Sequence, residues 1–294
     1  MLKRNIFVLV IASLFLFACG SDSGKSDVTA IDTTSANNNS KELANAQQIL
    51  YTLPSPVEAA ALMKMSGATF DKTHLNPVSN VSKYVSNDSK ALNLGIYGTD
   101  LIYSSIFEQT QESAEYFKCA NTLSTSLGIS EAFGEATFKR LKTNINNRDS
   151  LLTIVAEASL DADSYFKENE RPAASAMVAA GGWIEGLYIA TRIANVTKHQ
   201  EIIQRVAEQK NSIGNLISLV ESFGSEQGLT SVLNDLKEIK AQFDVLEVKK
   251  EPADKVDPSS PVPTIGVKKK ITMSAEQLKA ISDKVEIIRN KIIQ

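Results

Sequence analysis

The sequence predicts an all-α fold, either a multi-helix bundle or an array of helical hairpins, with about nine or ten helices. Beyond residue 40, most segments repeat their apolar residues at helical spacing, and glycine, proline or a capping residue separates one segment from the next. No stretch of any length shows the alternation that is typical of a strand. The chain has 294 residues, 43% of them hydrophobic, which is enough for one main helical domain.

The first 40 residues predict a lipoprotein signal peptide (1–18) followed by a flexible tether (19–40). Lys3 and Arg4 precede a short apolar core, which lacks the ~20 residues that a membrane-spanning helix needs. The segment Leu16-Phe17-Ala18-Cys19 resembles a bacterial lipobox, in which the cysteine is lipidated. We therefore expect Cys19 to anchor the protein to a membrane of the cell envelope, with the outer membrane favoured.

The segments after the tether are predicted helices, and their bounds come from apolar periodicity and from Pro, Gly and capping residues. Ser55 and Pro56 form a helix start signal, and Asn76 with Pro77 forms another. The predicted helices outside the two glycine-rich segments described next are Lys41–Leu53, Pro56–Ser66, Pro77–Ser86, Gln111–Leu127, Glu131–Asn146, Ser150–Glu168, Lys198–Phe223 and Leu229–Leu246.

The segment Arg171–Asn195 is the predicted central helix of the domain. Pro172 suits the first position of a helix, where the missing N–H would have no partner. Between Arg171 and Arg192, Glu185 is the only charged residue. A helix that is apolar on nearly all sides is normally buried, so we expect other helices to surround this one.

A second glycine-rich helix is predicted at Asp88–Glu108. Its small residues suggest close packing against the central helix, with Gly98 and Gly182 at the predicted contact. Asp100 is the only acid inside this helix. If the two glycine-rich helices pack together, Asp100 and Glu185 will lie in one apolar region.

The candidate site is the aromatic and acidic set on these two helices. We favour a core hydrogen-bond network in which tyrosines and an arginine satisfy the two acids. A pocket for a small polar ligand is the first alternative, and an acid/base pair of an enzyme is the second. The candidate residues are Tyr97, Asp100, Tyr103, Trp183, Glu185, Tyr188 and Arg192.

The C-terminal part of the chain departs from the helical pattern. Residues 247–271 hold half of the eight prolines and are predicted to form a linker or a long loop, with Lys268–Lys270 as a solvated charge run. Residues 272–294 form a predicted amphipathic helix, capped by Ser274 and Gln277. Its apolar face must pack on the bundle or on an envelope protein partner.

Composition argues against several functions. The net charge of −3 predicts no strong field that attracts nucleic acid or an anionic membrane, and His74 and His199 stand alone, outside any metal-binding motif. Cys119 is the only cysteine besides Cys19, so no disulfide is expected within the domain. We expect neither a metal nor a cofactor. The favoured function is that of a non-enzymatic binding or scaffold component, and a small-ligand carrier or an enzyme that uses Asp100 and Glu185 is the alternative.

Two motifs resemble an uncharacterised family of helical bacterial lipoproteins. They are Leu94–Leu101 and Gly181–Tyr188, and the similarity covers about Leu50 to Asn195. The resemblance implies a helical fold and an envelope location. Because the family has no known activity, the resemblance implies nothing about chemistry.

Overall fold

The computed structural model describes residues 62–63, 65–145, 147–169, 171–223, 227–252 and 267–294. The predicted signal peptide, Cys19, the tether and the helix predicted at Lys41–Leu53 lie outside these ranges. The helical domain is the unit Ser40–Gln294.

The described residues confirm the all-α fold class. Two short 3-10 helices, Lys72–His74 and Val78–Lys83, precede the α-helices. The α-helices are α1 (Asn87–Ile106), α2 (Thr110–Ser126), α3 (Ser130–Thr143), α4 (Arg148–Glu168), α5 (Pro172–Thr197), α6 (Gln200–Ser222), α7 (Gln227–Asp244) and α8 (Ala275–Ile293). A two-stranded antiparallel sheet, β1 (Glu247–Pro252) and β2 (Val267–Thr272), lies between α7 and α8.

Local sequence signals set several helix ends. Pro172 occupies the start of α5, as predicted. Ser274 and Gln277 form the predicted capping box, in which each side chain accepts a hydrogen bond from the backbone N–H of the other residue. Gly128 follows α2 with φ of +72°, a conformation that favours glycine. The helix predicted at Pro77–Ser86 is instead the short 3-10 helix that ends at Lys83.

Helices α1 and α5 pack against each other at the centre of the domain and run in the same direction. Their backbones approach so closely that a Cβ on Gly95 would lie 2.6 Å from the amide nitrogen of Gly182 and would clash with the carbonyl oxygen of Val178. A Cβ on Gly181 would clash with the carbonyl group of Leu92. These glycines therefore set the distance between the two central helices.

The structure corrects the predicted role of Gly98. A Cβ on this residue would meet nothing within 4 Å, so Gly98 is not part of the helix contact. Leu92, Gly95 and Thr99, spaced three and four residues apart, form the face of α1 that meets α5. Gly98 lies beside this row, outside the contact. Thr99 strengthens the contact, because its hydroxyl lies 3.1 Å from the carbonyl oxygen of Gly95 and 3.2 Å from that of Gly182.

Helix α5 is the one helix among the described residues that is long and apolar enough to cross a membrane. Within the domain, 56% of its apolar stretch is buried against other parts of the protein. Its neighbours include α1, α4, α6 and α8. This packing is that of a central helix in a helical core.

The predicted linker at 247–271 is wrong at both of its ends. These ends pair as β1 and β2, from Glu247 opposite Thr272 to Pro252 opposite Val267. Residues 253–266, which hold the other prolines of the segment, lie outside the described residues. The strands could not be predicted from the sequence, because lysines occupy positions on both faces of each strand. They therefore lack the apolar alternation of an ordinary strand.

Helix α8, whose apolar face was expected to pack on the bundle or on a partner, packs on the bundle. Leu278, Ile281, Val285 and Ile288 are all buried, and the helix lies along α5 and α7. The apolar face of this helix is therefore buried within the domain.

Candidate functional site

Asp100 and Glu185 lie together in the core, as predicted, and a third charged residue joins them. Both acids are 0% exposed. Arg289 of α8 donates from Nε to Oε2 of Glu185 and from Nη2 to Oε1, with both distances 2.8 Å. Because this guanidinium group is itself buried, the pair is a two-pronged ion pair sealed from solvent.

Asp100 is the acid of this cluster whose pKa is raised. Its Oδ2 accepts a hydrogen bond from the backbone N–H of Asn76 at 3.1 Å. Burial raises its pKa well above the usual 3.8, repulsion by the neighbouring carboxylate of Glu185 raises it further, and the positive charge of Arg289 opposes the increase only in part. The other oxygen, Oδ1, is buried and has no hydrogen-bond partner among the described residues. A neutral Asp100 beside one ion pair leaves the cluster without net charge.

Arg289 makes further contacts that fix its position. Burial opposes its charge, but the hydrogen bonds and the attraction of Glu185 outweigh that effect and raise its pKa. Its Nη2 also donates to the backbone oxygen of His74 at 3.1 Å. The centre of the guanidinium group lies 4.6 Å from the centroid of the Tyr188 ring, at the distance of a cation–π contact.

A buried amide cluster continues the polar network from Asp100. Asn76 donates from Nδ2 to the hydroxyl of Tyr84 at 2.9 Å and to Oδ1 of Asn93 at 3.2 Å. Asn80 donates to Oδ1 of Asn76 at 3.1 Å. Since the N–H of Asn76 also binds Asp100, this residue connects the charged cluster with the amides.

The amide cluster binds the C-terminal end of α8. Asn93 donates to the carbonyl oxygen of Ile292 at 3.2 Å. Asn80 donates to that of Ile293 at 3.1 Å, and the hydroxyl of Tyr84 lies 3.3 Å from the same oxygen. The last carbonyl groups of a helix lack partners within the helix, so these side chains complete the end of α8.

Two of the predicted tyrosines do not bind the acids. The hydroxyl of Tyr97 donates to the carbonyl oxygen of Pro77 at 3.0 Å. The hydroxyl of Tyr103 accepts a hydrogen bond from the backbone N–H of Asp71 at 3.2 Å. Both tyrosines therefore hold the segment before α1 against the bundle, and the predicted donation to the carboxylates is wrong.

The remaining candidates surround the cluster without completing it. Trp183 donates from Nε1 to Oε1 of Gln209 on α6 at 3.1 Å. Arg192, which we expected to satisfy the acids, forms an ion pair with Glu286 of α8. Its guanidinium group also lies 5.2 Å from the ring centroid of Tyr188, so this ring contacts two arginines.

His74 is the nearest histidine to the cluster. Its ring meets Tyr188 edge-on with centroids 6.5 Å apart, and its Nε2 lies 3.5 Å from Oδ2 of Asp71. Burial lowers its pKa, the attraction of Asp71 opposes this, and the positive charges of Arg192 and Arg289 add to the lowering. The imidazole is therefore neutral near pH 7.

Sequence reasoning missed Arg289 and Asn76. The signal for Arg289 was present, because this residue lies four positions after Val285 and one after Ile288, on the apolar stripe of α8. An arginine on a stripe that must be buried needs an acid within the core. Asn76 gave no comparable signal, since asparagine before proline is also an ordinary helix start.

The charged cluster is closed to solvent. Glu185, Asp100 and Arg289 are each within 4% of complete burial, so the described geometry offers no approach for water or substrate. Within the described residues, no group of three His, Cys, Asp or Glu side chains could hold a metal ion. Burial also raises the pKa of the Cys119 thiol to about 11, which makes it a poor nucleophile.

Comparison with protein-family models, with curated proteins and with solved structures finds no match to this chain. The resemblance to helical lipoproteins therefore has only the two glycine-rich motifs as its basis.

Proposed function

We propose that this protein is a lipid-anchored, non-enzymatic component of the cell envelope that acts as a binding or scaffold protein. The observation that carries the proposal is the complete burial of Asp100 and Glu185, with Arg289 paired to the second acid. A catalytic acid or base must come within hydrogen-bond reach of its substrate. Two acids that are sealed in the core suit a structural role instead, in which they fix the arrangement of α1, α5 and α8.

The envelope location is supported by the N-terminal sequence. A basic start, a short apolar core and Leu16-Phe17-Ala18-Cys19 together are typical of a bacterial lipoprotein. Three acyl chains on Cys19 would hold the domain durably at a membrane surface. The resemblance of the two glycine-rich motifs to helical lipoproteins points to the same compartment.

Carbodiimide labelling of carboxyl groups, read by peptide mass spectrometry, tests the scaffold role. Asp100 and Glu185 should resist labelling in the native protein and react after denaturation. Asp149, whose side chain is 74% exposed, is the matched acid that should react in both states. Native labelling of Glu185 at the rate of Asp149 would contradict the proposal.

The anchor is tested separately by Cys19→Ala in the native cell. We expect this change to remove the acyl chains from the intact mass and to release the protein from the membrane fraction. An unchanged mass together with unchanged membrane attachment would contradict the lipid anchor.

A small-ligand carrier or an enzyme that uses Asp100 and Glu185 is the second candidate. The observation in its favour is the raised pKa of Asp100, because shifted acids concentrate at functional sites. Arg289 and the end of α8 cover the acids, so this function would require α8 to move away. Native labelling of the acids would then be expected, which is the outcome that the scaffold role excludes.

A further inference from the structure

The β1–β2 hairpin concentrates lysines that are separated in the sequence. The antiparallel register puts Lys249 opposite Lys270, Lys250 opposite Lys269 and Lys268 opposite Glu251. Two strands of six residues each thus carry five lysines. The side chains of Lys249, Lys250 and Lys270 are exposed.

This arrangement works against the stability of the hairpin. Like charges directly opposite each other destabilise a strand pair, and an isolated two-stranded ribbon is only marginally stable. The two strands hold five lysines and two glutamates, a net charge of +3, whereas the whole chain has −3 and the remainder therefore −6. The hairpin is a basic element on an acidic protein.

The base of the hairpin is fixed to the bundle. Lys210 of α6 donates from Nζ to the carbonyl oxygens of Phe243, Asp244 and Leu246, at 2.9, 3.1 and 2.9 Å. At the other end of the base, Ile271 is 3% exposed and belongs to the core. The hairpin therefore keeps a defined direction relative to the helices beside it, as a surface that orients a domain must do.

We propose that this basic hairpin binds the anionic head groups of a phospholipid bilayer and so orients the helical domain on the membrane. The inference rests on the proposed function, because the anchor on Cys19 would keep the hairpin close to a bilayer. Each lysine near an anionic surface strengthens binding by a factor of about five. A basic patch is also the usual second membrane signal beside an acyl chain.

The two faces of the hairpin have different surroundings. Val248 and Lys250 share one face with Ile271, which is buried in the core, so this face adjoins the bundle. Lys249, Lys268 and Lys270 occupy the opposite face, which is the one that would meet the head groups. Lysine suits this position, because its long stem lets the ammonium group reach the level of the phosphates.

Vesicle sedimentation of the chain from residue 19 onward, without the apolar core of the predicted signal peptide, tests the proposal. All proteins carry Cys19→Ala so that acyl chains do not dominate binding, and the vesicles are phosphatidylcholine alone or mixed with phosphatidylglycerol. The hairpin variant replaces its five lysines by glutamine (K249Q, K250Q, K268Q, K269Q and K270Q). The control removes five exposed lysines elsewhere (K83Q, K118Q, K139Q, K142Q and K279Q). An arginine version of the hairpin variant keeps the charge.

We expect the parent chain to bind anionic vesicles at least about tenfold more tightly than neutral ones, with the preference lost at high salt. The hairpin variant should lose this preference, and the control and the arginine version should keep it. Equal loss in the control, retained preference in the hairpin variant or no preference in the parent chain would overturn the proposal. Because these proteins lack the lipid, their result is independent of whether Cys19 is acylated in cells.

Discussion

Arg289 and Glu185 form a two-pronged ion pair inside the core, with both nitrogen–oxygen distances at 2.8 Å and 104 residues between the partners. The last helix of the chain thus supplies the positive charge that the central helix needs. Until α8 docks, Glu185 has no counter-charge in the core. The docking of α8 therefore both buries its own apolar face and supplies the counter-charge for Glu185 on α5.

The protonated state of Asp100 predicts the pH dependence of stability. Its pKa is raised in the folded state above the unfolded value of about 3.8, so the folded protein binds the proton more tightly. The free energy of unfolding should therefore fall as pH rises from 3.8 through the raised folded pKa. Asp100→Asn cannot ionise and keeps an acceptor for the N–H of Asn76, so it should remove this slope. Urea denaturation across this pH range measures the effect.

Asp161→Asn is the matched control for that experiment, because Asp161 is exposed on α4. The same chemical change there should leave the pH profile as it is in the parent protein. The groups that face Asp100 from other elements are Glu185 on α5, Arg289 on α8 and Tyr116 and Cys119 on α2. A slope that persists in Asp100→Asn would assign the effect to one of these groups and would contradict a protonated Asp100.

The close contact of α1 and α5 predicts opposite effects of alanine at two neighbouring glycines. Gly95→Ala forces a methyl group against the backbone of α5 and should cost about 1–3 kcal/mol or more. Gly98→Ala adds a methyl group in open space on the same helix and should gain up to about 1 kcal/mol from helix propensity. Chemical denaturation of both variants gives the comparison. Equal effects at the two positions would refute the assigned contact.

The amide cluster at the end of α8 predicts a cost for losing Asn80. Asn80→Ala leaves the carbonyl oxygen of Ile293 with a weaker set of donors and removes the bond to Asn76, which should cost about 1–3 kcal/mol. Asn144→Ala is the control, since that amide binds only an exposed local backbone oxygen and a neighbouring hydroxyl. We expect the control to change stability by less than about 0.5 kcal/mol. A neutral Asn80→Ala would show that α8 is held by its apolar face alone.

Local signals made the helices predictable. Pro172, Gly128 and the Ser274–Gln277 capping box each act within a few residues, so their effect can be read from the sequence. The meeting of Asp100 and Glu185 could also be expected, because two nearly uncharged, glycine-rich helices are the natural pair at the centre of a bundle. These predictions needed no knowledge of how distant segments are arranged.

The parts that could not be predicted depend on distant segments. Arg289 could be recognised as anomalous on the stripe of α8, but its partner depends on which groove α8 fills. Asn76 became a centre of the polar network only because the segment before α1 folds over the end of α8. The hairpin depends on pairing between strands that are separated by residues 253–266, and its lysines gave no strand pattern.

A double-mutant cycle on Glu185 and Arg289 tests the central claim, that these residues form a structural pair in the core. Urea denaturation is measured for the parent protein, Glu185→Gln, Arg289→Met and the double variant. We expect each single change to cost about 3–5 kcal/mol, because it leaves a buried group without its partner. The double variant should cost little more than either single one, so the coupling energy should nearly equal the cost of one single change, about 3 kcal/mol or more. Costs that add within about 0.5 kcal/mol, or a Glu185→Gln protein more stable than the parent, would contradict the account.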